Sequence, residues 1–328
     1  MLNFGEWNGG IIFFSLLHLL IFLLAAPLLQ GWIKKVKAFW QMRQGPSLFQ
    51  PYRDLWKYMR KEEVVSEHAS WIFLVTPSLV LGSTILASCV VPGPWGWAPI
   101  HSLGSMFWLA ASLGLARFFL ALAGLDAGGT FGGMGSSREV FVAALVEPGF
   151  ILSLAVLALM TETTSLMGMS AALQGLSIFE TPRVLALFAL FVIAIAELGR
   201  IPVDNPDTHL ELTMIHEGML LDYSGPSLGF LTWAEQLKQL LLLQLLTFLI
   251  LPVNIQVMNS WSGGIPFGML LSHGILQIGF LALLGTFFAT LESINVKVRL
   301  FRIPNVLAMG LAAAVLALLT LWITKGGI

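Results

Sequence analysis

The sequence predicts an all-α polytopic membrane protein with eight transmembrane helices, an amphipathic helix in cytoplasmic loop 1 and a half-inserted helix in cytoplasmic loop 5. The first observation is composition: 57% of the 328 residues are hydrophobic and 11% are charged, whereas an ordinary soluble domain is about 25% charged. The second is that apolar runs long enough to cross a hydrocarbon layer about 30 Å thick recur along the chain. The third is the distribution of basic residues, which alternates between loops.

Eight apolar segments account for the predicted helices, and we expect one membrane domain over residues 1–328. The predicted spans are residues 10–33, 71–92, 103–125, 138–160, 183–199, 236–256, 265–290 and 305–324. Glu6 precedes a first run that is too long for the apolar part of a signal peptide, so we expect that segment to stay in the mature protein. The single cysteine, Cys89, excludes a disulfide pair and a cysteine ligand set for zinc or an iron–sulfur cluster.

Basic residues lie almost entirely on one side of this topology. The odd-numbered loops hold fourteen of the seventeen Lys and Arg residues, the opposite side holds Arg183 and Lys325, and Arg117 lies inside span three. By the positive-inside rule the odd-numbered loops are cytoplasmic. We therefore predict a multi-pass protein of the cytoplasmic (inner) membrane with both termini on the outer side.

Loop 1 contains a short segment with one apolar face and one basic face. A helix that begins at Pro51, a residue type favoured in the first turn, places Tyr52, Trp56 and Met59 on the same face. This pattern is typical of a helix lying in the membrane interface. A lipid-anchoring connector and a docking surface for a soluble partner both fit it.

Loop 3, residues 124–139, contains six glycines, which permit tight bends and close approach of another surface. Ser136 and Glu139 have the spacing of a capping box that begins span four. Glu139 therefore has two interpretations, a helix cap or a proton-transfer group.

Two charged residues lie well inside predicted spans. Glu147 lies about two turns inside span four, next to Pro148, and carboxylates in such positions usually face a polar interior or an ion path. Arg117 is expected to pair with an intramembrane acid such as Glu147 or Glu197.

The acidic loop, residues 197–225, carries six carboxylates and two histidines between two apolar segments. Pro202 ends span five, and Asn205 is expected to cap a new, half-inserted helix over residues 207–221. Carboxylates there can exchange protons near neutral pH, because desolvation and mutual repulsion favour their protonated form. The alternative is that these acids cap the helix and pair with Arg200, Lys238 or basic residues of a partner.

These observations give one set of candidate site residues. The predicted proton path comprises Glu139, Glu147, Glu197, Asp204, Asp207, Glu211 and Glu217. The predicted supporting charges and histidines are Arg117, Arg138, Arg200, His209 and His216. The sequence shows no nucleophile arrangement and no metal-ligand spacing, so we expect no catalytic, metal or cofactor-binding residue in this chain.

Three long motifs resemble one known family. They are GPSLFQPYRDLWKYMRKE at 45–62, GLDAGGTFGGMGSSREVFVAALVEP at 124–148 and ELGRIPVDNPDTHLELTMIHEGMLLDYSG at 197–225. In this order they resemble the membrane-anchor subunit family that includes subunit 1 of respiratory complex I and subunit 4 of formate hydrogenlyase. The third motif is most similar to the hydrogenase 4 type of group 4 membrane-bound [NiFe] hydrogenases. The quinone-reducing type continues as LxExExELVxGF, a pattern from which this chain departs at Asn205, Thr208, His209 and Leu210.

The resemblance implies a non-catalytic subunit that anchors a soluble arm and couples electron transfer to proton or ion translocation through buried carboxylates. The implied partners are hydrogenase large and small subunits, an iron–sulfur subunit and antiporter-like membrane subunits, with no nucleic acid. The [NiFe] centre and the iron–sulfur clusters are then expected in those partners, and oxidoreductase activity belongs to the complex. The resemblance carries roles over to Arg138, Glu139, Glu147, Glu197, Arg200, Asp204, Glu211 and Glu217.

Two other functions remain open from the sequence. One is a quinone-site subunit of an NADH dehydrogenase. The other is a stand-alone secondary transporter, for which inverted repeats are expected; the sequence shows no convincing internal repeat.

Overall fold

The computed structural model describes residues 9–100, 104–204, 214–252, 267–299 and 302–326. Within these ranges the regular secondary structure is helical, apart from an isolated antiparallel bridge between Ser105 and Ser165. The all-α prediction is therefore confirmed for the described part of the chain.

Eleven helices occur in the described ranges. They are α1 (Gly9–Trp40), α2 (Gln50–Met59), α3 (Trp71–Val90), α4 (Met106–Asp126), α5 (Thr130–Thr161), α6 (Leu166–Leu173), α7 (Thr181–Glu197), α8 (His216–Leu220), α9 (Gly225–Ile250), α10 (Phe267–Ile294) and α11 (Ile303–Thr324). Helices suit these apolar runs because a helix satisfies its own backbone groups where no water is present.

Six of the described helices, α1, α3, α4, α5, α10 and α11, are long and apolar enough to cross a membrane. The fifth and sixth predicted spans correspond to α7, which has 17 residues, and to α9, which carries Glu235, Lys238 and three glutamines. Every residue of α9 from Gln239 to Leu249 is buried. A helix enclosed by other helices can keep polar side chains that pair inside the bundle, which accounts for its lower hydropathy.

Helix α5 begins at Thr130, eight residues before the predicted start of span four. The capping-box interpretation of Ser136 and Glu139 is therefore wrong, because both residues lie more than one turn inside the helix. The glycines serve close contact: a Cβ atom on Gly135 would lie 2.8 Å from the carbonyl oxygen of Ile215. This close packing of α5 against the backbone at Ile215 offsets the poor helix propensity of glycine.

The described part of the acidic loop contains less helix than the sequence predicts. Met214 and Ile215 are not helical, and α8 covers five residues, so the continuous helix over 207–221 is wrong at these positions. The reason is that the Asp204 carboxylate accepts hydrogen bonds from the backbone N–H groups of Ile215 (3.1 Å) and His216 (3.3 Å), which fixes the start of the helix there. The predicted cap Asn205 lies outside the described residues.

Three further boundaries differ from the prediction. Helix α9 begins at Gly225, eleven residues before the predicted start of span six, and takes Pro226 into its first turn. Helix α1 continues to Trp40, seven residues beyond the predicted end of span one, so basic residues of loop 1 are helical. The short helix α6 has no counterpart in the prediction.

Helix α9 lies at the centre of the packing. It contacts α1, α2, α3, α6, α7 and α10, while α4 packs between α3 and α5, and α11 packs against α5 and α7. The larger hydrophobic core includes Leu157 of α5, Leu190 of α7 and Leu241 of α9, all almost fully buried. This packing brings the inward faces of α4, α5, α7 and α9 to one place.

Arg183 in the first turn of α7 is completely buried. Its guanidinium donates hydrogen bonds to the carbonyl oxygens of Leu173 (3.0 Å), Leu176 (3.2 Å) and Leu249 (3.2 Å). Leu173 and Leu249 lie in the last turns of α6 and α9, where carbonyl groups lack an intrahelical donor. Arg183 therefore joins two helix ends.

Helix α2 lies along α9 and α1. Pro51 is in its first turn, as predicted, and Pro51 and Leu55 are buried. Trp56 is 61% exposed, and the Arg60 guanidinium carbon lies 4.6 Å from the centre of its ring. An apolar side chain is therefore presented outward beside a cation.

Candidate functional site

Arg117, in the middle of α4, faces the interior of the bundle and is 8% exposed. Each of its three guanidinium nitrogens meets a different carboxylate: Nε lies 3.5 Å from Glu139, Nη1 lies 2.7 Å from Glu147, and Nη2 contacts Glu197. The prediction that Arg117 pairs with an intramembrane acid is confirmed. One guanidinium joins α4 to α5 and α7.

Glu197, the last residue of α7, lies between two cations. One carboxylate oxygen contacts Arg117 and the other lies 2.6 Å from Lys238 Nζ of α9. The Glu197 side chain is 4% exposed, so both charges compensate it inside the bundle. We call Arg117, Lys238 and the three carboxylates the Arg117 cluster; with three acids and two bases, one bound proton would neutralise it.

A small cavity adjoins the Arg117 cluster. This chamber has a volume of about 30 Å³, enough for one or two water molecules. Its polar lining consists of Thr84, Arg117, Glu139, Glu197, His216, Glu235 and Lys238. The predicted residue His216 therefore faces the same space as two predicted acids.

Glu235 lines the chamber but was not among the sequence candidates. It precedes Lys238 by three residues on α9, and that spacing places both side chains on one helix face. The predicted span six began one residue after Glu235, so the sequence placed this acid outside the helix. The unusual charge pair in an otherwise leucine-rich helix was the signal available in the sequence.

A larger space, the groove, lies on the other side of Arg117. It has a volume of about 450 Å³ and is lined by Phe107, Ala110, Ala111, Leu113, Gly114, Arg117, Glu147, Phe150, Ile151 and Glu197. The groove reaches the protein surface, because Phe107 is 56% exposed and the Glu147 side chain is 49% exposed. Glu147 thus presents a carboxylate to the outside between α4 and α5.

Arg200 belongs to a second buried polar cluster. It donates hydrogen bonds to the side-chain oxygens of Gln30 (2.9 Å) and Gln239 (3.1 Å), and its Nη1 lies 3.6 Å from Glu292. Lys37 Nζ lies 3.4 Å from the other oxygen of Glu292. Sequence reasoning missed Glu292, because it lies beyond the predicted end of span seven.

Asp204 and Arg138 hold the described ends of the acidic loop. Asp204 pairs with Lys297 Nζ at 2.7 Å, in addition to its contacts at the start of α8. Arg138 donates a hydrogen bond to the carbonyl oxygen of Met214 at 2.7 Å. These contacts position α8 beside the chamber.

Of the remaining candidates in the acidic loop, the structure describes only Glu217. Glu217 is half-buried on α8. The predicted residues Asp207, His209 and Glu211 lie outside the described residues.

The turn between α8 and α9 contains two groups with shifted pKa values. Burial raises the pKa of Asp222 above its usual range, and its Oδ2 is buried without a hydrogen-bond partner in the described structure. Burial also raises the pKa of Tyr223, whose hydroxyl donates a hydrogen bond to the Phe73 carbonyl oxygen at 3.1 Å.

The geometry can hold and pass protons, and it offers little to a metal. Carboxylates, a histidine and a lysine meet around a cavity of water-molecule size. Side chains of these three kinds exchange protons in buried sites. Across the described ranges, no group of three or more His, Cys, Asp or Glu side chains is arranged to bind a metal ion.

Comparisons with known proteins agree with this architecture. A family model described as NADH dehydrogenase matches residues 13–325. Formate hydrogenlyase subunit 4 of Escherichia coli (strain K12) is 30% identical over 94% of this chain and 98% of its own length. Hydrogenase-4 component C of the same strain is 35% identical over 75% of this chain and 77% of its own.

The fold is shared with a solved structure. A chain of the membrane-bound sulfane sulfur reductase, an archaeal respiratory membrane complex, has a TM-score of 0.78 with 20% identity. The likeness covers 94% of this chain and 99% of that chain.

Proposed function

Because this chain belongs to the NADH dehydrogenase family, we propose that it is the membrane-anchor and coupling subunit of a hydrogenase or formate hydrogenlyase type complex. The similarity to formate hydrogenlyase subunit 4 over almost both full lengths supports the hydrogenase type. The observation that carries the coupling role is the Arg117 cluster, in which two bases and three carboxylates meet between helices and only Glu147 is half-exposed.

The proposed partners follow from the same similarity. Hydrogenase large and small subunits and an iron–sulfur subunit form the soluble arm and hold the [NiFe] centre and the iron–sulfur clusters. Antiporter-like membrane subunits form the other partner. The groove supports a membrane partner beside α4 and α5, since a half-exposed Glu147 facing hydrocarbon alone is costly.

The proposed topology is that of eight spans in the cytoplasmic (inner) membrane, with both termini outside. Helices α7 and α9 are the fifth and sixth spans of this topology, although their length and hydropathy alone do not identify them as transmembrane helices. On this topology α8 and the acidic loop are half-inserted at the cytoplasmic side, and α2 lies in the interface. The outward Trp56 supports contact of α2 with lipid headgroups or with the soluble arm.

In the proposed path, protons reach the chamber through the acidic loop and leave through Glu147. The loop contributes Asp204, Asp207, Glu211 and Glu217, with His209 and His216 as relays, and the chamber contributes Glu139 and Glu197. Arg138 and Arg200 position the loop and do not touch the Arg117 cluster through any of their described contacts.

The first experiment concerns assembly. The chain is tagged in cells that express the whole gene cluster, and the purified material is analysed for nickel, iron and subunit composition. We expect co-purification with iron–sulfur and hydrogenase subunits. A chain that purifies alone and transports a solute in vesicles would instead establish the stand-alone transporter.

The second experiment concerns coupling. In the assembled complex, Glu147→Gln or Glu211→Gln should preserve subunit composition and reduce proton or ion translocation per electron pair. Glu162→Gln is the matched control, because Glu162 caps the far end of α5 with an 84% exposed side chain. Undiminished translocation in both assembled variants would remove these residues from the path.

A quinone-site subunit is the second candidate. An apolar cavity of about 260 Å³ between α1, α9 and α10, in which Gln244 is the one amide, favours an apolar ligand. Quinone-dependent turnover of the purified complex would support this candidate, and turnover without quinone would exclude it.

A further inference from the structure

Arg117 lies at the junction of two spaces that both contain proton-exchanging groups. It lines the chamber of about 30 Å³ and also the groove of about 450 Å³. Glu139 faces the chamber, Glu147 faces the groove, and Glu197 lines both spaces beside Arg117. Glu139 and Glu147 are eight residues apart on α5, about 12 Å along the helix, and the guanidinium reaches both.

The Arg117 guanidinium lies among three carboxylates. Its Nε, Nη1 and Nη2 atoms face Glu139, Glu147 and Glu197 respectively. Lys238 approaches from α9 and contacts the second oxygen of Glu197 at 2.6 Å. Glu235 lines the same chamber from α9, and His216 lines it from α8.

The chemistry of the central group differs from that of its neighbours. A carboxylate accepts and releases a proton, whereas a guanidinium stays protonated in proteins and offers donors only. A fixed positive charge in a narrow polar passage also repels protons and other cations. A proton can therefore rest on either side of Arg117 but cannot be carried by it.

We propose that Arg117 is a valve that blocks proton passage between the chamber and the groove until its guanidinium leaves one of its carboxylates. The transfer moves one proton from the carboxyl group of Glu197 to the carboxylate of Glu147, with no change of redox state, and Arg117 keeps its own protons throughout. Lys238 makes the transfer possible, because it neutralises the Glu197 carboxylate that remains after the proton has moved to Glu147. The inference rests on the proposed function in one respect, that these carboxylates carry protons.

The test measures passive proton conductance, which requires no turnover. The whole complex is reconstituted into sealed liposomes with a pH-sensitive dye inside, and a potassium gradient with valinomycin drives protons inward in the absence of any redox substrate. Wild-type vesicles should conduct slowly. Arg117→Gln should raise conductance about tenfold, equivalent to about 1.4 kcal/mol of barrier.

The double variant Arg117→Gln with Glu147→Gln should return conductance to the wild-type value, because the acceptor is gone. Arg117→Lys should leak by a smaller factor, since an ammonium group can release its proton and bridges fewer carboxylates. This variant decides the question if Arg117→Gln does not assemble. Glu162→Gln should conduct as slowly as the wild type.

Two results would overturn the valve: no added leak in the assembled Arg117 variants, or a leak that survives Glu147→Gln. The outcome is separable from the proposed function. A Glu147-dependent leak in a complex that never pumps would support the valve and reject coupled translocation, whereas pumping with no added leak would reject the valve alone.

Discussion

Arg183 gives the most direct test of how this fold is held together. Replacing it with Met removes a guanidinium that donates to the buried carbonyl groups of Leu173 and Leu249, in the last turns of α6 and α9, and to the part-buried carbonyl group of Leu176. Each buried acceptor left without a donor costs about 1–3 kcal/mol. Relief from burying a charge offsets part of this loss, so we expect Arg183→Met to lower the free energy of unfolding by about 3 kcal/mol.

The assay is denaturation of the purified protein in detergent micelles, followed by circular dichroism. Arg183→Lys should recover part of the loss, because one ammonium group cannot reach both helix ends. Lys325→Met is the matched control: Lys325 also donates to a carbonyl oxygen, at 2.7 Å, but it is half-exposed, and its loss should cost less than about 0.5 kcal/mol. Equal stability of the Arg183→Met and Lys325→Met proteins would refute the reasoning.

Three further predictions each compare two variants or two conditions. Gly135→Ala should destabilise the protein by about 1–3 kcal/mol, because its Cβ atom would overlap a backbone carbonyl group. Gly133 has open space around it, so Gly133→Ala should stabilise α5 by up to about 1 kcal/mol. The thermal midpoints of the two variants measure the difference. Lys238→Met should cost less than the roughly 3–5 kcal/mol of a fully unpaired buried charge, because Glu197 keeps its contact with Arg117, and adding Glu197→Gln should recover part of that loss. Additive effects in this double-mutant cycle would contradict a direct pair. Burial raises the pKa of Asp222 above its ordinary value of 3.8, so the folded state binds the proton more tightly and stability falls as pH rises from 3.8 through the raised pKa. Asp222→Asn should therefore increase the thermal midpoint more at pH 7 than at pH 4, and an equal change at both pH values would count against the raised pKa.

The sequence predicted the Arg117 cluster better than it predicted the helix boundaries. Charges inside apolar segments are few, and each must find a partner, so Arg117 could be assigned to Glu147 or Glu197 before the fold was known. The contact of Glu139 with Arg117 was harder to predict. A glycine-rich sequence predicts a loop, and only the packing of this segment against α8 shows that it is helical.

Other parts of the site depended on contacts between distant segments. Glu235 and Lys238 lie in a helix that is enclosed by protein, and apolar patterning locates lipid-facing helices better than enclosed ones. Glu292 pairs with Arg200 and Lys37 across three elements, and no local pattern encodes such a meeting. The Asp204 carboxylate accepts hydrogen bonds from the backbone N–H groups of residues eleven and twelve positions later in the chain, and no local spacing indicates such a contact.

Helix α5 joins two regions mechanically as well as electrostatically. Gly135 and Glu139 are four residues apart, so the face that packs against the backbone just before α8 also carries the carboxylate that touches Arg117. With a glycine at this contact, no side chain separates the two backbones to absorb a displacement. A displacement of α8 would therefore be passed directly to α5, and it would change the distance between the Glu139 carboxylate and Arg117.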